Sequence, residues 1–178
     1  MTHELIIKAR KFAEAAHRSI DQKRKYTEDP YIVHPAAVAK LVSGVTDDVD
    51  VICAAWLHDV VEDTPVTIED VHKEFGQRVA ALVADLTDIS RQEDGNRQAR
   101  KQIDRDHTQI ACAEAKTVKL ADLIDNARSI TQHDPKFAKT FMQEKMLLLE
   151  VLGEGNPVLF AIAQELVWQF YENLDKTT

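Results

Sequence analysis

An all-α fold, a single-domain bundle of about eight or nine helices, is what this sequence predicts. Three observations carry that expectation. Apolar residues recur at spacings of three and four along most of the chain, the period of a helix with one buried face. Only 5 glycines and 5 prolines punctuate 178 residues, too few for the many turns of a sandwich or barrel. A balance of 44% hydrophobic and 29% charged residues suits a soluble globular chain and excludes wholesale disorder. The length fits one core, and no linker, repeat or low-complexity tract divides it, so residues 1–178 are expected to fold as one domain.

The first helix is expected over about residues 3–20, where Leu5, Ile6, Ala9, Phe12, Ala13 and Ala16 share a face. Residues 21–30 are polar and break the pattern, with Asp29-Pro30 as a turn signal. Pro35 suits the first turn of a second helix, which needs no backbone N–H there, and Val38, Ala39, Leu41 and Val42 continue it. After a turn at 44–48, the segment from Val51 to Leu57 is apolar nearly all round and belongs at the centre of the core. Its helix is expected to run on through Asp63, until Thr64-Pro65 ends it.

Thr67, with Asp70 three residues on, begins a short helix in the manner of a capping box. Gly76 separates it from a helix over about 78–89 that presents Val79, Leu82, Val83 and Leu86. Residues 90–96 are polar, turn at Asp94-Gly95-Asn96, and are the expected mobile loop. A charged helical segment over about 97–116 follows, then an apolar helix carrying Val118, Leu120, Ala121, Ile124 and Ala127. Asp134-Pro135 supplies the cap and first position of a further helix, running to about residue 152. Beyond a turn at 153–157, residues 158–174 close the chain as an amphipathic helix.

The formal charge of −8 argues against a broad grip on nucleic acid, which needs cations facing the phosphates. A few cations converging on one pocket could still take a small polyphosphate. Lys23-Arg24-Lys25 is the longest basic cluster, and by composition alone it reads as a solvated loop. Cys53 and Cys112 lie far apart in apolar, Ala-rich stretches and are expected to be buried and reduced. No basic-then-apolar leader and no apolar run of about 18 residues is present, so a cytoplasmic location without membrane contact is expected. A homo-oligomer is compatible with the sequence but not readable from it.

The chemistry lies in ionisable residues set inside apolar helices. His58-Asp59 follows directly on Ala54-Ala55-Trp56-Leu57, and Glu62-Asp63 comes one turn later. On one continuous helix, His58 would sit beneath Glu62 and Asp59 beneath Asp63. Buried carboxylates cost several kcal/mol unless cations offset them, and an acidic last turn opposes the helix dipole. A divalent metal is the simplest offset. His34, ahead of Pro35, is a further candidate ligand, though a lone histidine there is more often a structural residue than a ligand. Asp122 stands alone in an apolar stretch, with Asp125 and Asn126 three and four residues on. Two imidazoles and two carboxylates suit Mn²⁺, Fe²⁺, Zn²⁺ or Mg²⁺ with positions left for water and substrate.

Three stretches, Pro30-Tyr31-Ile32-Val33-His34-Pro35, His58-Asp59-Val60-Val61-Glu62-Asp63-Thr64 and Val118-Lys119-Leu120-Ala121-Asp122 with Asn126, resemble the hydrolase domain of Rel/SpoT stringent-response enzymes. They are similar too to the stand-alone small alarmone hydrolases of the HD type. With no synthetase or regulatory segment following, the stand-alone class is the expectation. The resemblance spans the chain from Ala15-Ala16-His17 to about Leu152.

That resemblance implies an HD-type helical phosphohydrolase that removes the 3′-pyrophosphate of (p)ppGpp, giving GDP or GTP, usually with Mn²⁺. It implies His34, His58, Asp59 and Asp122 as holders of one metal ion, and Glu62 and Asp63 as the groups that handle water and leaving group. Asn126 would bond the substrate or the water. Arg24 and Lys25 would contact the nucleotide, as would Lys119, which is equally a surface lysine, and Lys145. Leu123 and Asp125 depart from the family pattern, and both bear on substrate contacts rather than on the metal set. Two alternatives stand beside this reading: NADPH 2′-phosphatase or other nucleotide phosphohydrolase chemistry at the same metal site, and a catalytically silent nucleotide-binding module. The silent module would be marked by loss of a ligand or of the Glu-Asp pair, and neither is lost.

Overall fold

The computed structural model describes residues 2–175. Among them are nine α-helices of eight residues or more, one single α-turn and one 3₁₀ turn, Gln92–Asp94: α1 Thr2–Ser19, α2 Val33–Ser43, α3 Val49–Leu57, the single turn α4 Val60–Asp63, α5 Ile68–Phe75, α6 Gln77–Leu86, α7 Arg97–Ile110, α8 Ala113–His133, α9 Pro135–Leu149 and α10 Pro157–Asp175. The all-α expectation is met; the sole β pairing among the described residues is an isolated bridge between Lys23 and Pro30.

Two central helices organise the bundle. α3 buries Val51, Ile52, Cys53, Ala54, Ala55 and Leu57, and packs on α1, α2, α6 and α8. α8 buries Val118, Leu120, Ala121, Leu123 and Ile124, and packs also on α9 and α10. Helices apolar on most of their circumference must be enclosed on most sides, which is why these two occupy the middle. Asp48 caps α3 by accepting from the backbone N–H groups of Asp50 and Val51, and Arg78 of α6 ties that cap down at 2.6 Å. Thr67 and Asp70 form the expected capping box of α5.

The end of α1 fixes the loop that leads to the site. The N–H of Gln22 donates to the carbonyl of His17 and the N–H of Asp21 to that of Arg18, with Asp21 at φ 49°. This is the Schellman pattern, with aspartate in the left-handed position usually given to glycine. Gln22 is thereby turned back along the helix it follows.

Several expectations need correction. The helix expected to run through Asp63 breaks at His58-Asp59, where Nδ1 of His58 is held by the carbonyl of Ala55 at 2.8 Å and the chain turns to set the next single turn, Val60–Asp63, apart. The stacking of His58 under Glu62 on one helix therefore does not exist; Asp59 and Asp63 keep their spacing within the α4 turn, whose Asp63 N–H donates to the Asp59 carbonyl. α6 stops at Leu86 rather than near residue 89, leaving Asp88 outside the helix and beside the site. The charged segment expected to reach residue 116 ends at Ile110, and α8 begins at Ala113, before Lys116. Lys116 is buried there, its Nζ donating to the Gln109 carbonyl at the end of α7 and paired with Glu154. Cys53 is buried, but Cys112 is exposed at the α7–α8 break; both are free thiols.

Candidate active site

His34 stands in the first turn of α2, His58-Asp59 at the α3–α4 break, and Asp122 in the middle of α8. The three places converge because α2, α3 and α8 are mutual packing neighbours. Nε2 of His34 lies 3.1 Å from Asp122 Oδ1 and 3.5 Å from Asp59 Oδ2. Nε2 of His58 lies 3.0 Å from Asp59 Oδ2, 3.9 Å from Asp122 Oδ1 and 3.3 Å from the other Nε2. The ligand atoms of His34, His58 and Asp59 all fall within 4.8 Å of one another.

The far side of each imidazole shows what this cluster suits. Nδ1 of His58 faces the Ala55 carbonyl, and Nδ1 of His34 faces Asp125 Oδ2 at 2.6 Å. Carbonyl and carboxylate oxygens accept, so both rings carry a hydrogen on Nδ1, and a cation that displaced the proton from Nε2 would meet two lone pairs directed into the same space. Burial opposes charge on His34, yet its hydrogen bonds to Asp122 and Asp125 outweigh that and hold it up at about 9. His58 is raised as well, against burial, by Asp59. In spite of their own burial, the two imidazoles bring Asp59 down to about 2 and Asp122 well below the usual carboxylate range. Two anions that favour positive charge between them, with two inward Nε2 atoms able to exchange a proton for a metal, fit a divalent cation.

Outer partners hold this set. The hydroxyl of Tyr31 donates to Asp59 Oδ2 at 2.7 Å, and Asn126 Nδ2 donates to Asp122 Oδ1 at 2.6 Å. Arg24 is drawn in behind them, bonding Asn126 Oδ1 at 3.3 Å and pairing with Asp125 at 3.5 Å.

A polar cleft of about 220 Å³ opens beside the cluster, lined by Asp59, Asp122, Glu62, Asp63, Asn126, Lys119 and Lys145 among others. Partial withdrawal from water and the nearby Asp88 carboxylate push Glu62 up to about 7, and its Oε2 accepts from the Asp88 N–H at 3.3 Å. Asp63 is raised by withdrawal from water and accepts from Gln22 Nε2. Lys119 is no surface lysine: its Nζ donates to the Leu86 carbonyl and to Asp88. Arg24 and Lys25 do not line this cleft; Lys25 lies outside it, 4.0 Å from Asp134 and over the rings of Tyr26 and Phe137.

Sequence reasoning missed three participants. Tyr31 sits inside the Pro-Tyr-Ile run, where its hydroxyl could have been matched to a buried acceptor. Asp125, read as a departure from a pattern, orients His34. Asp88 gave no signal, since the apolar period of α6 runs straight past it into Ile89.

Residues 9–154 match the HD domain family. The chain is 39% identical over 136 residues to guanosine-3′,5′-bis(diphosphate) 3′-pyrophosphohydrolase MESH1 of Xenopus tropicalis, covering 74% of this chain and 73% of that one. It is 38% identical over 174 residues to the guanosine-3′,5′-bis(diphosphate) 3′-pyrophosphohydrolase of Aquifex aeolicus, covering 94% of this chain but only 24% of that longer protein. Among solved structures, one described as a metazoan ortholog of SpoT that hydrolyzes ppGpp superimposes with a TM-score of 0.82 at 31% identity, covering 93% of this chain and 94% of that one.

Proposed function

This chain belongs to the HD domain family, and we propose that it works as a metal-dependent (p)ppGpp 3′-pyrophosphohydrolase, releasing GDP or GTP and pyrophosphate. The observation that carries the reading is the convergence of two imidazole Nε2 atoms and two carboxylates at the edge of a polar cleft sized for phosphate groups. Residues 1–178 act as one HD unit in this account. No described helix is long and apolar enough to cross a membrane, and a cytoplasmic location and a small nucleotide, rather than nucleic acid, as partner belong to the same proposal.

His34, His58, Asp59 and Asp122 would hold one divalent ion, for which we favour Mn²⁺. Such an ion supplies Lewis acidity toward a phosphoryl oxygen and makes water a better nucleophile near neutral pH. Glu62, pushed up to about 7, is the carboxylate poised to take the proton of the attacking water. Asp63, on the same turn, helps the leaving group and orders the water. Lys119 and Lys145 face the cleft as cations against the phosphates. Asn126, held by Asp122, turns its remaining hydrogen-bonding capacity to the substrate. Arg24 and Lys25, outside the cleft, would reach the nucleoside end.

Initial rates on ppGpp, NADPH and deoxynucleoside monophosphates, run side by side, test the substrate. A rate on ppGpp well above the others supports the proposal. A dominant rate on NADPH would move the same machinery to 2′-phosphatase chemistry.

A further inference from the structure

His17, in the last turn of α1, is 1% exposed and packs its ring 4.7 Å from that of Tyr31. Its Nδ1 lies 2.7 Å from Gln22 Oε1, and Gln22 Nε2 donates to Asp63 Oδ2 over 2.8 Å. The bonding sense of this chain is forced. An ionised carboxylate only accepts, so the amide presents its NH₂ to Asp63 and its oxygen to His17. That oxygen also only accepts, so the hydrogen between His17 and Gln22 belongs to Nδ1.

The other ring nitrogen then has nothing to do. Burial lowers the proton affinity of His17, which keeps the ring neutral and leaves Nε2 a bare acceptor. Nε2 is buried and has no hydrogen-bond partner among the described residues. A buried acceptor without a donor is a cost to the fold, and a phenylalanine ring would fill the space without it. Packing alone does not account for an imidazole here.

We propose that His17 and Gln22 are positioning residues that fix the Asp63 carboxylate through the relay His17 Nδ1–H to Gln22 Oε1, Gln22 Nε2–H to Asp63 Oδ2. The inference rests on the role given to Asp63 above. The backbone serves the same end: the Schellman turn at Asp21 returns Gln22 to the α1 terminus, within reach of both His17 and Asp63. Asp63 itself closes a helix of a single turn and gains a fixed orientation from outside that turn.

The test compares His17→Phe, His17→Asn and Asp63→Asn in the full chain. His17→Phe should lower kcat about 10-fold or more, the scale on which outer partners act, with KM within about twofold. Its melting temperature should stay level or rise, because the orphaned acceptor is gone. His17→Asn, whose side-chain N–H can stand near the place of Nδ1, should recover most of the lost kcat. In the Asp63→Asn background, His17→Phe should add little further loss. A kcat within about twofold of the wild type in His17→Phe, a melting temperature that falls with activity, or an additive double variant would each overturn the relay. The ¹⁵N shifts of the His17 ring in the wild type give a readout that needs no substrate: the Nδ1–H tautomer is expected, and the Nε2–H tautomer would overturn the relay. Absence of ppGpp turnover in the wild type would instead count against the function proposed for Asp63, with the tautomer still deciding the relay.

Discussion

The phenol of Tyr31 donates to Asp59 Oδ2 over 2.7 Å, so one of the two carboxylates that meet the His34–His58 pair is aimed by a residue from the loop ahead of α2. Burial and the surrounding anions raise the proton affinity of that phenol, which keeps it a donor throughout the neutral range. Tyr31→Phe retains the ring against His17 and removes the hydroxyl that bonds Asp59 and also bears on Asp63. It should weaken Mn²⁺ affinity by about 10-fold or more while the melting temperature of the metal-free protein changes little. Calorimetric titration with Mn²⁺ measures the first and a thermal melt the second.

The proposed roles separate metal binding from proton handling. Asp59→Ala and Asp122→Ala should lose both bound metal and turnover. Glu62→Gln should keep the metal and lose turnover by about 10²–10⁴-fold, the range over which a general base contributes. Metal content by elemental analysis, next to initial rates, distinguishes the two classes; near-normal rates in Glu62→Gln would remove that residue from proton handling.

The pH profile follows from Glu62. Its proton affinity is raised to about 7, and a base acts only when ionised, so kcat should fall as pH drops through about 7 and level off above it. The sign for stability is opposite: a carboxyl whose folded value is raised stabilises the fold below its unfolded value and loses that contribution as pH rises through about 7. Asp88→Asn removes a raising charge and should move the acidic limb of the rate profile to lower pH. A limb that stays in place in Asp88→Asn would assign the titration to another group.

At the end of α1, Asp21 adopts φ 49° and places a negative charge at a helix C-terminus. Both features are unfavourable for aspartate, and glycine relieves both. Asp21→Gly should stabilise the fold by about 0.5–1 kcal/mol in urea denaturation.

The bundle was legible in the sequence because its central helices are apolar almost all round and its caps are explicit: Thr67 with Asp70, Asp134 with Pro135, Gly76 between two helices. The residues now placed around one point were legible for a related reason, since His58, Asp59 and Asp122 interrupt apolar runs that have no local use for them. What escaped was set by tertiary partners. The break at His58 falls directly after an apolar run, with its imidazole held to the Ala55 carbonyl, a local geometry that periodicity does not register. Asp88 leaves α6 for Lys119 and Lys101, partners 31 and 13 residues away. Cys112 looked buried within an Ala-rich run, yet it caps α8 at the surface, where its N–H meets Asp85.

The most direct test of the account is product analysis after incubating the purified protein with ppGpp and Mn²⁺, beside a control in which the metal is chelated. GDP and pyrophosphate formed with the metal and absent with the chelator are the predicted result. Metal bound at the site with ppGpp left intact would contradict the proposed activity.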